Sequence, residues 1–267
     1  MGILNITPDS FSDGGLRFDA GRAIEDGLRM IEEGADVLDV GGESTRPGAE
    51  PLVAAEELRR VLPVVEGLAG SGAPVSVDTY KAAVAREAIA AGAVIVNDVS
   101  GLQFDSGLGS VVAEAGAALV LMHNRGRSRD MYRQAEYGDV MAEISAELRA
   151  ALARAAAVGV HRDAVIIDPG IGFAKQAGHS YAAIAGLSQL ASLDRPILAG
   201  PSRKSFLTAS IGERPPAGRD WGTAAAVAAS VLLGAHIVRV HRVADMIDVV
   251  RVADRIRLAR SAAAPIT

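Results

Sequence analysis

The stretch Pro196-Ile-Leu-Ala-Gly-Pro-Ser-Arg-Lys-Ser-Phe206 begins as an apolar run of strand length and breaks at Gly200-Pro201. Hydroxyl, guanidinium and amine donors follow directly after the break. A buried strand that ends in a group of donors is typical of the carboxyl edge of the sheet in an α/β enzyme. Lys204 is one of three lysines in a chain with 24 arginines, and it directly follows this strand. The alternative interpretation is a solvated loop lysine.

The same order of features recurs along the chain: apolar strand, polar strand end, loop, amphipathic helix and glycine. The apolar runs begin near residues 3, 37, 75, 94, 119, 165, 196 and 237. Eight such units in about 250 residues predict an α/β fold, a TIM-type (β/α)8 barrel formed by residues 1–267 as a single domain. An open doubly wound sheet is the main alternative, but the chain lacks the Gly-x-Gly-x-x-Gly turn that this fold would place after strand 1.

Apolar residues at helical spacing predict which helix faces cover the sheet. The first helix has Ile24, Leu28 and Ile31, and the last has Val249, Val252 and Ile256. The loops after strands 1 and 2 are long and rich in glycine and proline, so we expect them to close over a bound ligand.

Composition narrows the functional class. The chain has 267 residues, a net charge of −5 and no basic block, which does not favour a nucleic-acid partner. It has no cysteine, so disulfides and thiolate chemistry are excluded and a cytoplasmic location is expected. The longest apolar stretch, residues 224–238, is interrupted by Ser230, Gly234 and His236. This stretch predicts a buried helix followed by a strand and not a membrane span, and no signal peptide is recognisable.

The active site of such a barrel lies at the carboxyl ends of its strands. Polar residues stand at these ends within otherwise apolar runs: Asn5, Asp78, Asn97, Asp168, Lys204, Arg239 and His241. Arg239 and His241 are two residues apart and therefore share one face of the last strand. Since strands 7 and 8 often hold phosphate in these barrels, we interpret the pair as an anion site. The alternative for Arg239 is that a core carboxylate holds it, and the alternative for His241 is that it is a core histidine.

The three acceptors Asp78, Asn97 and Asp168 face one donor, Lys204, in the predicted barrel. Such a set suits a flat heterocycle with amino and ring N–H edges, because carboxylates accept from N–H groups and an amide both donates and accepts. The turn from Asp168 to Phe173 supplies a ring that can stack on a planar ligand, although Phe173 as plain core is the alternative. The sequence does not decide whether Asp39 and Asp98 are helix caps or members of ion pairs. It also does not decide whether His123 has a structural role or supports the site.

Seven motifs, in order and over nearly the whole chain, resemble those of the dihydropteroate synthase family. They are Ile3-Leu-Asn-Ile-Thr-Pro-Asp-Ser-Phe-Ser-Asp-Gly-Gly, Asp39-Val-Gly-Gly-Glu-Ser-Thr-Arg-Pro-Gly, Ser76-Val-Asp-Thr, Asn97-Asp-Val-Ser-Gly, Asp168-Pro-Gly-Ile-Gly-Phe, Ser202-Arg-Lys-Ser-Phe and Arg239-Val-His.

The resemblance implies a transferase that joins 6-hydroxymethyl-7,8-dihydropterin diphosphate to p-aminobenzoate, releases diphosphate and uses Mg²⁺. It implies a pterin site of Asp78, Asn97, Met122, Asp168 and Lys204. It implies a diphosphate site of Asn5, Thr45, Arg46, Arg239 and His241, with Asn5 also a Mg²⁺ ligand, and a p-aminobenzoate site of Pro47, Phe173, Lys204 and Ser205. Of these, Lys204, Asp168, Arg239 and His241 would be catalytic. Asp9 and Asp13 can also take part. Sulfonamide binding in competition with p-aminobenzoate and a homodimer are further implications.

Two rival functions keep the fold. A pterin-binding barrel of a corrinoid methyltransferase system would share Asp78, Asn97 and Asp168, but it needs no diphosphate clamp such as Thr45-Arg46 or Arg239 with His241. A Schiff-base aldolase would use Lys204 as its nucleophile, and borohydride trapping with a carbonyl substrate would reveal it. We expect no trapped adduct, because Lys204 lies beyond the strand and beside Arg203.

Overall fold

The computed structural model describes residues 1–6, 20–46 and 48–263. The strands are β1 (Gly2–Asn5), β2 (Leu38–Gly41), β3 (Val75–Asp78), β4 (Ile95–Asp98), β5 (Ala118–Met122), β6 (Val165–Asp168), β7 (Leu198–Ala199) and β8 (Ile237–Val238). The helices are α1 (Ala20–Glu32), α2 (Ala54–Leu68), α3 (Ala82–Ala90), α4 (Leu108–Ala115), α5 (Val140–Ala157), α6 (Ala177–Ala185), α7 (Thr208–Ile211), α8 (Asp220–Leu232) and α9 (Val243–Ala263).

The strands close into a parallel barrel. Strands β1 to β6 pair in sequence order, and β7 pairs with β8. Two backbone bridges join these groups, Ile167 with Ile197 and Gly2 with Val240. At the bridge to β1, Ile3 N donates to Val240 O and Val240 N donates to Met1 O, each over 3.0 Å. The predicted TIM-type barrel is therefore confirmed.

Two apolar layers stabilise the barrel. The inner layer fills the barrel axis and includes Met1, Ile95, Val120 and Leu198. The outer layer lies between the strands and the helices, where residues such as Leu38, Val61 and Leu119 are fully buried. Because apolar side chains fill the barrel axis, the polar side chains that point inward lie at the carboxyl ends of the strands.

The predicted faces of two helices are partly wrong. Leu28 of α1 is 41% exposed, and α1 instead packs through Ala23 and Gly27. A side chain at Gly27 would come within 2.9 Å of Leu68, so glycine lets α1 approach α2 closely. On α9, Val252 is 61% and Ile256 49% exposed. The inward faces of these two helices were predicted from large apolar residues, but small residues such as Ala23 and Gly27 form part of them.

Two short elements lie in the second half of the barrel. Helix α6 is followed by a 3₁₀ segment, Leu187–Leu193. The segment between β7 and α8 contains the short helix α7. In the part of the chain described here, no helix combines the length and the apolar character needed to cross a membrane.

Candidate active site

One row across the sheet positions three of the predicted polar residues. The strand register pairs Asn5 with Gly41, Gly41 with Asp78, and Asp78 with Asn97. Because all four share one row, Asn5, Asp78 and Asn97 face the same side at the same height. A Cβ at Gly41 would lie 3.4 Å from the Asp78 Cβ, so the glycine leaves room for that carboxylate.

Arg239 lies in the barrel mouth between two carboxylates. Its Nε donates to Asp39 Oδ2 over 2.6 Å, and its Nη2 donates to Asp78 Oδ2 over 2.8 Å. Asp39 is fully buried and also accepts from Asn97 Nδ2 over 2.9 Å. These contacts correspond to the alternative in which core carboxylates hold Arg239, and they assign Asp39 to an ion pair instead of a helix cap. Burial raises the pKa of Asp78, while Arg239 opposes this rise.

Asp98, the other carboxylate left open by the sequence, supports a loop. Its two oxygens accept from the backbone N–H groups of Ser100 over 2.8 Å and Leu102 over 2.6 Å. Asp98 is fully buried, on the face of β4 opposite to Asn97. It therefore fixes the turn after β4 and does not face the barrel mouth.

Asp168 and Lys204 occupy the mouth on the β6 and β7 side. Asp168 Oδ1 accepts from Gly170 N over 2.7 Å, while Oδ2 has no hydrogen-bond partner within the described segments. Lys204 Nζ donates to the Ile171 carbonyl and lies 4.4 Å from the centre of the Phe173 ring. Burial raises the pKa of Asp168, whereas the charge of Lys204 lowers it. Burial lowers the pKa of Lys204 to about 8, and Asp168 opposes this shift.

The turn that carries Lys204 is fixed by helix α8. Arg203 adopts a left-handed backbone with φ of 58°, which is strained for a residue with a side chain. Its N–H donates to Thr223 Oγ1 over 3.0 Å, and its Nε and Nη2 donate to Asp220 over 2.7 and 2.9 Å. These bonds hold the strained residue and direct Lys204 back over the barrel.

His241 connects the ends of β7 and β1. Its Nδ1 lies 2.9 Å from Ser202 Oγ, and its Nε2 lies 3.5 Å from Asn5 Nδ2. Burial lowers the pKa of His241 to about 3, with further lowering by Arg239, Arg203 and Arg46, so the ring is neutral at pH 7. In the tautomer with a proton on Nδ1, Ser202 accepts, Nε2 accepts from the Asn5 amide, and Asn5 Oδ1 is left for another partner.

The loop after β2 contains Thr45 and Arg46 and is held in place by Glu43. The Glu43 carboxylate accepts from Tyr80 Oη over 2.8 Å and from Leu52 N over 3.2 Å, and it binds the Lys81 ammonium. Arg46 is exposed near the mouth. Pro47, and likewise Asp9 and Asp13 in the loop after β1, lie outside the described residues.

A pocket of about 160 Å³ adjoins the mouth between the loops after β2 and β5. Gly48 N donates to Ser128 O over 2.9 Å and joins the two loops. Thr45, Tyr80, Phe104, Arg127 and Phe173 are among the residues that line the pocket. Phe173 therefore borders this pocket, and Ser205 is exposed, with its Oγ 3.5 Å from Tyr132 Oη in the loop after β5.

The structure brings most of the predicted site residues to one mouth. Asn5, Asp78, Asn97, Arg239 and His241 are linked by direct contacts or a shared row. Asp168 and Lys204 interact electrostatically with each other and with Arg239, and Met122 is buried opposite Asp168 in the β5–β6 register. Ser202 and Lys175 were missed as parts of this arrangement, and the sequence had left the role of Asp39 open. Lys175 had a signal in the sequence, because it is one of only three lysines.

The donor set can be tested for Mg²⁺. The described ranges contain no group of three His, Cys, Asp or Glu side chains arranged to hold a metal. Mg²⁺ usually keeps several waters and takes one or two protein oxygens together with substrate phosphates. The Asn5 Oδ1, an amide oxygen beside the proposed anion site, fits that mode of binding.

Comparison with known proteins agrees with this geometry. The family model described as "Pterin binding enzyme" matches residues 1–241. A dihydropteroate synthase of Mycobacterium leprae is 47% identical over 258 residues, which cover 94% of this chain and 91% of that protein. The chain thus belongs to the family of pterin-binding enzymes.

Solved structures similar to this chain include dihydropteroate synthases. The Burkholderia cenocepacia enzyme complexed with 7,8-dihydropteroate has a TM-score of 0.88 and 41% identity, covering 98% of this chain and 92% of that chain. The Yersinia pestis enzyme in a sulfonamide drug complex has a TM-score of 0.91 and 40% identity, covering 96% and 93%. The resemblance inferred from the motifs is confirmed.

Proposed function

We propose that this chain is a transferase of folate biosynthesis, a dihydropteroate synthase that condenses 6-hydroxymethyl-7,8-dihydropterin diphosphate with p-aminobenzoate. The observation that carries the proposal is the convergence of Asp78, Asn97, Asp168 and Lys204 on one mouth, beside Arg239 and His241. The Burkholderia cenocepacia relative, which holds 7,8-dihydropteroate, has the same fold over almost the whole chain.

The acceptors of the mouth suit the pterin ring. Asn97 donates its Nδ2 to Asp39, so its Oδ1 is directed away from that contact and can accept from the ligand. Asp168 Oδ2 and Asp78 Oδ1 are the other acceptors, and Lys204 is the donor. A dihydropterin presents amino and ring N–H groups to the acceptors and a carbonyl oxygen to the amine. Met122 packs against the ring.

Diphosphate leaves from the adjoining side of the mouth. Arg239, Arg46 and the Thr45 hydroxyl would bind its oxygens, and neutral His241 would donate to them from Nε2 in the tautomer that carries its proton there, with Ser202 then donating to Nδ1. Asn5 would hold Mg²⁺, which supplies charge neutralisation to the leaving group when bound. As the C–O bond breaks, the electron pair leaves with the diphosphate, and the electron-rich ring delocalises the positive charge of the pterin methylene.

The aromatic amine then completes a dissociative substitution. p-Aminobenzoate would bind against Phe173, Pro47, Lys204 and Ser205, with its nitrogen toward the methylene carbon. The C–N bond forms from the nitrogen lone pair, and the nitrogen loses a proton. No protein nucleophile takes part, since binding and electrostatic stabilisation suffice for this step. Sulfonamides resemble this second substrate, and we expect them to compete with it.

The proposal also covers the oligomeric state and the cellular location of the protein. We infer a homodimer of single-domain subunits located in the cytoplasm. The exposed apolar residues Trp221 on α8 and Val252 and Ile256 on α9 support the dimer, because these two helices are neighbours in the barrel. The absence of cysteine from the chain suits a reducing compartment.

The decisive experiment measures diphosphate release by the purified protein with the dihydropterin diphosphate and Mg²⁺, with and without p-aminobenzoate. Release that depends on p-aminobenzoate and yields dihydropteroate is expected. Pterin binding without any turnover would contradict the proposal and would favour a pterin-binding module of a methyl-transfer system.

A further inference from the structure

Lys175 is buried behind the proposed p-aminobenzoate site. Its side chain is only 1% exposed and is the largest fully buried side chain of the described residues. Its Nζ lies 2.8 Å from His123 Nδ1 and donates to the Phe173 carbonyl over 3.1 Å. The same atom lies 5.8 Å from the centre of the Tyr137 ring. The amine is therefore bonded to the backbone of the residue whose ring faces the pocket.

The partners of Lys175 are themselves fixed. His123 Nε2 lies 3.1 Å from Glu147 Oε2, and Arg125 Nε donates to Glu147 Oε1 over 2.9 Å. Burial lowers the pKa of His123 to about 4, so the ring is neutral and its Nδ1 can accept from the lysine. Tyr137 Oη donates to the Ala174 carbonyl over 2.8 Å. Two consecutive carbonyl groups, at 173 and 174, thus each accept from a side-chain donor.

The segment between Asp168 and Lys175 leaves little room for movement. A Cβ at Gly170 would lie 2.0 Å from the His123 carbonyl oxygen, and one at Gly172 would lie 2.8 Å from Lys204 Cδ. His123 N donates to Asp168 O over 2.8 Å. Ile171, whose carbonyl accepts from Lys204, belongs to this segment as well. A displacement of residue 173 would consequently move both the Phe173 ring and the Lys204 ammonium.

We propose that Lys175 is a positioning residue that holds the Asp168–Phe173 segment so that the Phe173 ring and Lys204 form one wall of the aromatic-amine site. This inference rests on the proposed function, because that function assigns the amine to this wall. A methionine of similar length would fill the same space but could not donate to His123 or to the Phe173 carbonyl. Both acceptors would then be left without a partner in the interior.

A selective kinetic defect is the expected consequence of Lys175→Met. The KM for p-aminobenzoate should rise about 10-fold, the equivalent of one or two lost hydrogen bonds, while the affinity for the pterin substrate changes less than 2-fold. The milder variant Tyr137→Phe removes only the donation to the Ala174 carbonyl and should raise the same KM about 3-fold. Steady-state kinetics in p-aminobenzoate and calorimetric titration with the pterin give the two quantities.

The matched control is Leu190→Ala, which opens a cavity in the outer apolar layer where Leu190 is fully buried. It should lower thermal stability and leave the KM for p-aminobenzoate unchanged. If Lys175→Met and Tyr137→Phe both leave that KM unchanged, or lower pterin affinity in the same proportion, the inference is rejected while the proposed function stands. If the wild-type protein shows no p-aminobenzoate-dependent release, the proposed function fails and the inference fails with it.

Discussion

At the scale of single residues, Arg239 has two roles, and a substitution would affect both. It compensates the charges of Asp39 and Asp78 in the folded protein, and in the proposed reaction it also binds the leaving diphosphate. Removing one partner of a buried ion pair is much more costly than the pair is stabilising, because the remaining charge is left uncompensated. Stability and catalysis should therefore both respond to a change at this position.

Arg239→Ala should lower kcat/KM for the diphosphate substrate about 10- to 100-fold, which corresponds to roughly 1.5–3 kcal/mol of lost charged hydrogen bonds. It should also lower the free energy of unfolding by roughly 3–5 kcal/mol. Steady-state kinetics and chemical denaturation measure the two effects. Arg239→Lys is the control, since it keeps the charge but loses the planar fork. Wild-type kinetics in Arg239→Ala would remove the diphosphate assignment.

Asp168→Asn should weaken pterin binding, because one N–H group of the ligand would lose a charged acceptor. We expect about a 10-fold loss of affinity in calorimetric titration. Asp98→Asn is the matched control: it changes a buried carboxylate on β4, two strands away from β6, whose oxygens accept from backbone N–H groups of a loop and do not face the mouth. It should reduce stability and leave pterin affinity unchanged. Equal affinities of wild type and Asp168→Asn would contradict the assigned role.

The buried Lys175 predicts a pH dependence of stability. Burial lowers its pKa from 10.5 to about 7 in the folded protein. Between these two values the unfolded chain binds more protons at this lysine than the folded chain, so stability rises with pH. The unfolding free energy of wild type minus that of Lys175→Met should increase from pH 7 to pH 9, by at most about 1.4 kcal/mol per pH unit. Denaturation curves at several pH values give the difference, and a value that does not change with pH would contradict it.

At the scale of elements, the ends of the strands were predictable and the helix faces less so. An isolated charged or amide residue at the end of an apolar run, such as Asp78 or Asn97, stands out, and when it points inward it lies at the barrel mouth. By contrast, α1 packs through Ala23 and Gly27, whose small side chains give a weak hydrophobic signal. The pairing of Arg239 with Asp39 joins residues 200 positions apart, and no local pattern could reveal it.

The loop after β2 is held by one lysine. Lys81 binds both Glu43, at the start of the loop, and Glu57, in α2, whose side chain is fully buried. Lys81→Met should therefore lower the unfolding free energy by roughly 3–5 kcal/mol and raise the KM for the diphosphate substrate, because Thr45 and Arg46 lose their support. Thermal unfolding and kinetics measure these effects.

A double variant separates the two contributions at Lys81. Adding Glu57→Gln to Lys81→Met removes the uncompensated buried carboxylate and should recover part of the stability, whereas the KM should stay raised because Glu43 still lacks its partner. If the KM returned to the wild-type value together with stability, the loop would not depend on Lys81.

At the scale of the whole molecule, the barrel and its mouth followed from the repeated strand-end pattern, whereas the exposed side of the barrel did not. Val252 and Ile256 stand one helical turn apart on α9, so they form one outward stripe. The sequence suggested that they face the sheet, but that place is taken by Val243, Met246 and Ala253. Large apolar side chains turned toward solvent on a long helix are typical of a covered surface between subunits.

The proposed homodimer would cover this side of the barrel. Trp221, 90% exposed at the start of α8, and Val252 are the residues whose burial would contribute most, and homodimer interfaces are rich in such aromatic and apolar side chains.

The wild-type protein should sediment at twice its 27.5 kDa subunit mass at micromolar concentration. Trp221→Asp and Val252→Asp should each shift it toward the monomer, since a buried unpaired carboxylate opposes association. Val158→Asp, at an exposed apolar position after α5, should leave the dimer intact. A monomeric wild type, or a dimer insensitive to both substitutions on α8 and α9, would contradict this arrangement and leave the exposed stripe without a partner subunit.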